Sequence, residues 1–273
     1  MMLETAQKSK LKAEELTDPC PVCGQPTKAV FQFPWIDGGT KTRTVGIACA
    51  CRQKEAEETE KRFQRQDMIR KVSELRRMSL MDEKVKTASF SRFVVNEENR
   101  KMYRIARKYT ENFPTMLKKG QGLLLYGDVG SGKSFTAGCI ANFLIEKMRP
   151  VVMTSFIQIL EECMRFGEDA NMKIQTMMLA DLLVIDDLGT ERGTDFAIEK
   201  VYEVIDARYR SGKPIILTTN LDLGYMQRCE DIRYSRIYDR IFEMCYPVKT
   251  VCPSWRKKQA VTRFDEMKRL MEA

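Results

Sequence analysis

The chain has 273 residues, 43% apolar and 31% charged, with a formal net charge of +8; this is the composition of a globular protein able to bury a core without disulfide staples. No apolar run is long enough to span a bilayer and no apolar h-region opens the chain, which excludes membrane-spanning and secreted classes and predicts a cytoplasmic protein. Histidine is absent, which excludes Ser-His-Asp and Cys-His nucleophilic catalysis and histidine-ligated metals.

Residues 1–19 are polar and charged and read as a frayed or helical tail. Residues 20–51 hold four of the nine cysteines together with Pro21, Gly24, Pro26, Pro34 and Gly38-Gly39, a small turn-rich unit. Cys20-x-x-Cys23 sits in a Pro/Gly knuckle, a half-site for zinc. Val45, Ile47, Cys49 and Cys51 alternate, which predicts a strand with all four on one side. Cys49 and Cys51 are then either small core residues or the second pair of thiolate ligands. A unit of about thirty residues buries little apolar surface by itself, which favours the metal. Cys139, Cys163, Cys229, Cys245 and Cys252 are scattered and are expected to pack.

The expected organisation is a cysteine-rich, partner-docking module over 1–52, a helical linker over 53–87 and a nucleotide-binding domain over 88–273. The stretch 53–80 lacks Gly and Pro, and Met68, Val72 and Leu75 fall on one helical stripe. Its start is acidic (Glu55, Glu57, Glu58, Glu60) and its later turns are basic, as the helix dipole favours. Beyond residue 90 the pattern is α/β. Met102, Ile105, Ala106 and Tyr109 form a helical stripe. Strands are predicted at 123–126, 151–154, 182–185 and 214–219. Between them lie helices over 133–148 and from the Thr194 cap, with Ser155 capping a third. Strands alternating with helices of this length indicate a parallel sheet with helical crossovers. A last helix over 254–272 carries Ala260, Phe264, Met267 and Met271 on one stripe.

Gly127-Asp128-Val129-Gly130-Ser131-Gly132-Lys133-Ser134 matches G-x-x-x-x-G-K-[ST] at every fixed position, after a predicted strand and before a predicted helix. In such a loop the glycines let backbone N–H groups cradle phosphate oxygens, and the helix start adds positive potential. Lys133 reaches the β- and γ-phosphates, and Ser134 offers its hydroxyl to Mg²⁺. The apolar strand 182–185 ends in Asp186 and Asp187. Asp186 is suited to Mg²⁺ and Asp187 to orienting the attacking water. Asn220 closes the strand ending Thr218-Thr219, at the carboxyl edge where open α/β sheets bind ligands. Phe90 and Phe93 are candidates for the adenine pocket by position.

DLLVIDDLGTE (181–191), KPIILTTN (213–220), SRIYDRIFEMC (235–245) and PSWRKKQA (253–260) occur in this order. With the phosphate loop they resemble the DnaC/DnaI-type helicase-loader branch of the AAA+ P-loop ATPases, which includes the transposition ATPase IstB, over roughly 88–262. The cysteine-bearing start is also similar to that of some loaders. The resemblance implies an ATP- and Mg²⁺-dependent, oligomer-dependent ATPase that loads the replicative DNA helicase onto single-stranded DNA; the shorter carboxylate of Asp187 predicts that turnover is slow. It implies self-association through the ATPase domain, with DNA contacted by the basic surface of that domain. It places an arginine finger at Arg240, with Arg236 the second candidate, and a sensor arginine at Arg256. The pair Asp186-Asp187 departs from the Asp-Glu of many AAA+ proteins. The alternatives are an IstB-like accessory ATPase acting on duplex DNA with a transposase, and an ATP-gated adaptor with negligible turnover.

Overall fold

The computed structural model describes residues 15–36, 38–79, 83–164, 175–190 and 193–272. The chain forms two compact units, one ending at Asp67 and the other beginning at Met68.

The smaller unit holds a three-stranded antiparallel sheet of β1 (Glu15–Pro19), β2 (Pro26–Pro34) and β3 (Thr40–Gly46), in that order. Cys20 to Gly24 form the knuckle between β1 and β2, closed by Gly24 N–H on Cys20 O, with Gly24 at φ 71. Two expectations are corrected here. Glu15–Pro19 form a strand rather than a frayed or helical tail, while residues 1–14 lie outside the described residues. The strand predicted through Cys51 ends at Gly46, and Cys51 stands in the first turn of helix α1 (Ala50–Met78). Alternation alone could not show that the chain turns into a helix after Cys49.

α1 carries the boundary between the units. In its last turns Val72 and Leu75 are buried, as their spacing predicts, whereas Met68 is exposed. In the larger unit α2 (Glu83–Lys86), α3 (Arg100–Glu111) and α4 (Phe113–Lys119) precede β4 (Gly122–Gly127). Then follow α5 (Lys133–Glu146), β5 (Val151–Ser155), α6 (Phe156–Met164), β6 (Leu182–Leu188), α7 (Asp195–Ser211) and β7 (Ile215–Thr219). The chain ends with α8 (Leu223–Gln227), α9 (Ile232–Met244), β8 (Cys245–Thr250) and α10 (Trp255–Met271). The sheet order is β5-β6-β7-β4-β8 and every pairing is parallel. β8 was not anticipated, because Tyr246, Pro247 and Lys249 break the apolar pattern of a central strand. As an edge strand it needs only one paired side.

Alternate strand residues feed two cores. Leu124, Val152, Leu183, Ile185 and Leu217 pack with α6, α7 and α9. Leu123, Leu125, Val184, Ile216 and Val248 pack with α3 and α5. This two-sided burial is why the central strands read as unbroken apolar runs. Thr194 caps α7 through Ala197 N–H, and the Ser155 hydroxyl accepts from Gln158 N–H. Arg208 of α7 is fully buried and donates to the carbonyls of Met178, Ala180, Asp181 and Pro214. Burial pulls its pKa down to about 10. Helix α10 forms as expected, but Phe264, Met267 and Met271 of its stripe are exposed.

Candidate functional site

A cavity of about 630 Å³ opens at the carboxyl ends of β4, β6 and β7, a size suited to a nucleotide. Val129 to Ser134, Asp186, Asp187, Asn220 and Arg256 all line it. Sequence reasoning thus assembled one site from four separate segments.

The loop conformation follows from its glycines. Gly127, Gly130 and Gly132 have φ of 137, 81 and 93, a region that L side chains avoid. Space enforces the same choice. A Cβ on Gly127 would lie 2.4 Å from Thr250 O, and one on Gly130 would lie 2.3 Å from Ser254 Oγ. The loop is also stitched to the end of β8 and the start of α10. Ser131 Oγ and Thr250 Oγ1 are 2.8 Å apart, and Trp255 N–H donates to Gly130 O.

Lys133 is buried at the start of α5. Its ammonium donates to Gly127 O at 2.8 Å, Asp128 O at 2.7 Å and Asn220 Oδ1 at 2.7 Å. Gly127 and Asp128 therefore serve through their carbonyls. Burial lowers the Lys133 pKa, against the opposing pull of Asp187, Asp186 and Asp128. Asp186 and Asp187 stand where the β6–β7 register shifts between Ile185 and Leu188. Such an irregularity re-aims side chains out of the sheet. Asp187 also has φ 56, a strained backbone of the kind found at functional sites. Thr218 Oγ1 clasps both residues, donating to Asp186 Oδ1 and accepting from Asp187 N–H. Burial raises the Asp186 pKa, opposed by hydrogen bonds with Thr218 and Ser134. A hydroxyl and a carboxylate in contact beside a phosphate loop can hold a hard cation through oxygen ligands.

Phe93 lines the cavity with Val85, Val94 and Met102. Phe90 stacks edge-on with Tyr103 and Phe143 instead. Arg240 is not in the cavity of its own chain. Its guanidinium donates to Asp206 and to the Tyr202 hydroxyl, each at 2.9 Å, whereas the side chain of Arg236 is exposed. Arg92 and Arg263 line the cavity and were missed. For Arg263 a signal existed: it lies seven residues after Arg256, two turns along one helix. Thr250, Trp255 and the clasping role of Thr218 became visible only with the sheet register.

In the smaller unit the sulfurs of Cys20, Cys23, Cys49 and Cys51 lie within 4.8 Å of one another. Cys51 Sγ is 3.6 Å from Cys20 Sγ and 3.5 Å from Cys49 Sγ. Tetrahedral thiolates at about 2.3 Å from a metal stand about 3.8 Å apart, so the four fit one ion. Backbone N–H groups of Val22 and Cys23 draw the Cys20 thiol down to about 6. Gln25 Oε1 accepts from Ala50 N–H, tying the knuckle to the start of α1. This cluster can hold a metal ion.

A phosphate loop on a five-stranded parallel sheet, with two aspartates and an asparagine at neighbouring strand ends, defines a nucleotide-binding P-loop protein of the AAA+ class. The family model of IstB-like ATP binding proteins matches residues 59–262, and the chain belongs to that family. The chain is 33% identical to the phage-like element PBSX protein XkdC of Bacillus subtilis over 45% of its own length and 47% of that protein. It is 27% identical to the replicative helicase loader DnaI of the same species, over 48% of this chain and 46% of the loader. The crystal structure of the DnaC helicase loader matches with a TM-score of 0.52 and 26% identity. That match covers 62% of this chain and 99% of the other. The chain spans about half the length of the curated relatives it matches. Among the described residues no helix is long and apolar enough to cross a membrane.

Proposed function

We propose that this protein is an ATP-dependent replication protein that loads a replicative helicase onto single-stranded DNA. The observation that carries the reading is the convergence of Lys133, Asp186, Asn220 and Arg256 on one nucleotide-sized cavity in a chain related to DnaI and DnaC. The loop Gly127–Ser134 cradles the phosphates, with Lys133 on the β- and γ-groups. Ser134 and Asp186 would hold Mg²⁺, which supplies charge neutralisation at the phosphates. Asp187 and Asn220 orient the attacking water, and Arg256 approaches the transferred group. Arg240 or Arg236 completes the site of a neighbouring copy, so turnover is oligomer-dependent, and the shorter carboxylate of Asp187 makes it slow.

Cys20, Cys23, Cys49 and Cys51 hold zinc, which fixes the knuckle against β1–β3 and the start of α1. The module over 1–52 docks the helicase, and the linker over 53–87 joins it to the ATPase domain over 88–273. The test is co-elution of the full chain with the replicative helicase of its host, against a variant lacking residues 1–52. Binding by the full chain and none by the truncated chain supports the reading; equal binding by both removes the docking role of the module. The family match also favours a second reading, an accessory ATPase acting on duplex DNA with a transposase. ATP-dependent assembly on duplex in preference to single-stranded DNA would select it.

A further inference from the structure

The β2–β3 hairpin carries a row of aromatic rings on one face that neither the ATP site nor the cysteine cluster uses. Phe31, Phe33 and Trp35 alternate along β2 and its end, so they share a side. The ring centroids of Phe33 and Trp35 are 6.2 Å apart. Across the ladder Phe31 pairs with Arg43 and Phe33 with Lys41. The Lys41 ammonium lies 3.8 Å from the Trp35 ring centroid. Phe31 and Phe33 are half-buried, while Trp35 and Val45 are exposed. By register Leu16, Ala29 and Val45 complete this face. Lys41 and Arg43 are the cations of this face, and the carboxylate of Asp18, two residues after Leu16 in β1, is paired with Lys28.

The geometry points to this face as a binding platform for single-stranded nucleic acid. Rings in a row offer stacking surfaces to successive unpaired bases, and adjacent cations neutralise the linking phosphates. A paired duplex keeps its bases stacked on one another and cannot use the rings. Rings and arginine also serve protein interfaces, and the helicase co-elution in the test below separates that occupant from a nucleic-acid strand. The platform adds a DNA contact to the smaller unit, beyond the basic surface of the ATPase domain. It stands independently of the loader reading.

The test measures the affinity of the full chain for fluorescein-labelled oligo(dT) by anisotropy across a salt series. The variants are Trp35→Ala, Trp35→Phe and the double variant Lys41→Glu with Arg43→Glu. ATP affinity and helicase co-elution are measured on each. Trp35→Ala should weaken oligo(dT) binding about 5- to 150-fold, and Trp35→Phe should recover most of it. The double charge reversal should weaken binding and flatten the salt dependence, by a slope of about 1.4 for two lost phosphate contacts. ATP affinity should not move. Wild-type oligo(dT) affinity in the charge-reversal variant overturns the platform. So does equal loss in Trp35→Ala and Trp35→Phe, which would show a structural tryptophan. Unchanged oligo(dT) affinity with lost helicase co-elution overturns it in favour of a protein-docking face.

Discussion

Thr218→Val probes the clasp beneath Asp186 and Asp187 with almost no change in shape. Thr218 is fully buried at the end of β7, and its hydroxyl serves both Asp186 Oδ1 and Asp187 N–H, the latter at 2.9 Å. Valine fills the same space, so no cavity opens; what is lost is the pair of hydrogen bonds. A neutral bond contributes about 1 kcal/mol and one to a carboxylate about 1.5–3 kcal/mol. The expected loss is therefore about 2.5–4 kcal/mol. For a domain of this size that is a fall in Tm on the order of 5–15 °C. The same substitution removes the largest influence opposing the raised Asp186 pKa. The carboxyl then protonates more readily, and the acid limb of the pH–turnover profile moves to higher pH. Thermal unfolding by circular dichroism and ATP turnover between pH 5 and 8 measure both effects, with Thr218→Ser as the control that keeps the hydroxyl. A Thr218→Val protein with the wild-type Tm and an unmoved acid limb would refute the clasp.

Asp186→Asn should show stability and activity moving in opposite directions. The folded-state pKa of Asp186 is raised by burial, so its contribution to stability is present below the unfolded value of about 3.9 and is lost as pH rises through the folded value. At neutral pH the asparagine variant should melt above wild type, the gap closing in acid, while Mg²⁺-dependent turnover collapses; a variant melting below wild type at pH 7 counts against the buried-charge account. Arg240 is held by Asp206 and Tyr202, so Arg240→Ala should cost about 1–3 kcal/mol of stability whatever its role in turnover. If it also acts on a neighbouring copy, mixing Arg240→Ala with Lys133→Ala protein should restore part of the ATPase activity. Rescue by Arg236→Ala in such mixtures, and none by Arg240→Ala, assigns the finger to the exposed arginine. Elemental analysis should find one zinc per chain, reduced by Cys20→Ser with ATP affinity unchanged; metal-free protein from chelator-free reducing purification rejects the zinc assignment.

The residues that meet at the candidate nucleotide site were legible in the sequence because their pattern is local. The phosphate loop needs glycines at fixed spacing, and the strand ends carrying Asp186 and Asn220 are marked by a switch from apolar to polar residues. What sequence could not supply was register. Thr218 clasps Asp186 only because β6 and β7 are neighbours with an irregularity between Ile185 and Leu188. Thr250 reaches Ser131 only because β8 lies beside β4. The four cysteines were grouped correctly on a mistaken element. A two-residue alternation looked like a strand, whereas Cys49 precedes α1 and Cys51 lies in its first turn, and the bend brings both sulfurs to the knuckle. β1 and β2 were missed, and β3 was anticipated only at its Val45 end, because with little of these strands buried no apolar alternation is required of them.

The proposed function requires that the cavity beside Lys133 bind ATP. Isothermal titration of Mg²⁺·ATP into wild-type and Lys133→Ala protein tests it most directly. Lys133 is the buried cation of that cavity and sits at the start of α5. Loss of its charged hydrogen bonding should weaken ATP by about 1.5–3 kcal/mol, on the order of 10- to 150-fold in Kd. A Lys133→Ala protein that is folded, by an unchanged circular dichroism spectrum, and binds Mg²⁺·ATP with wild-type affinity would contradict the assignment of the site.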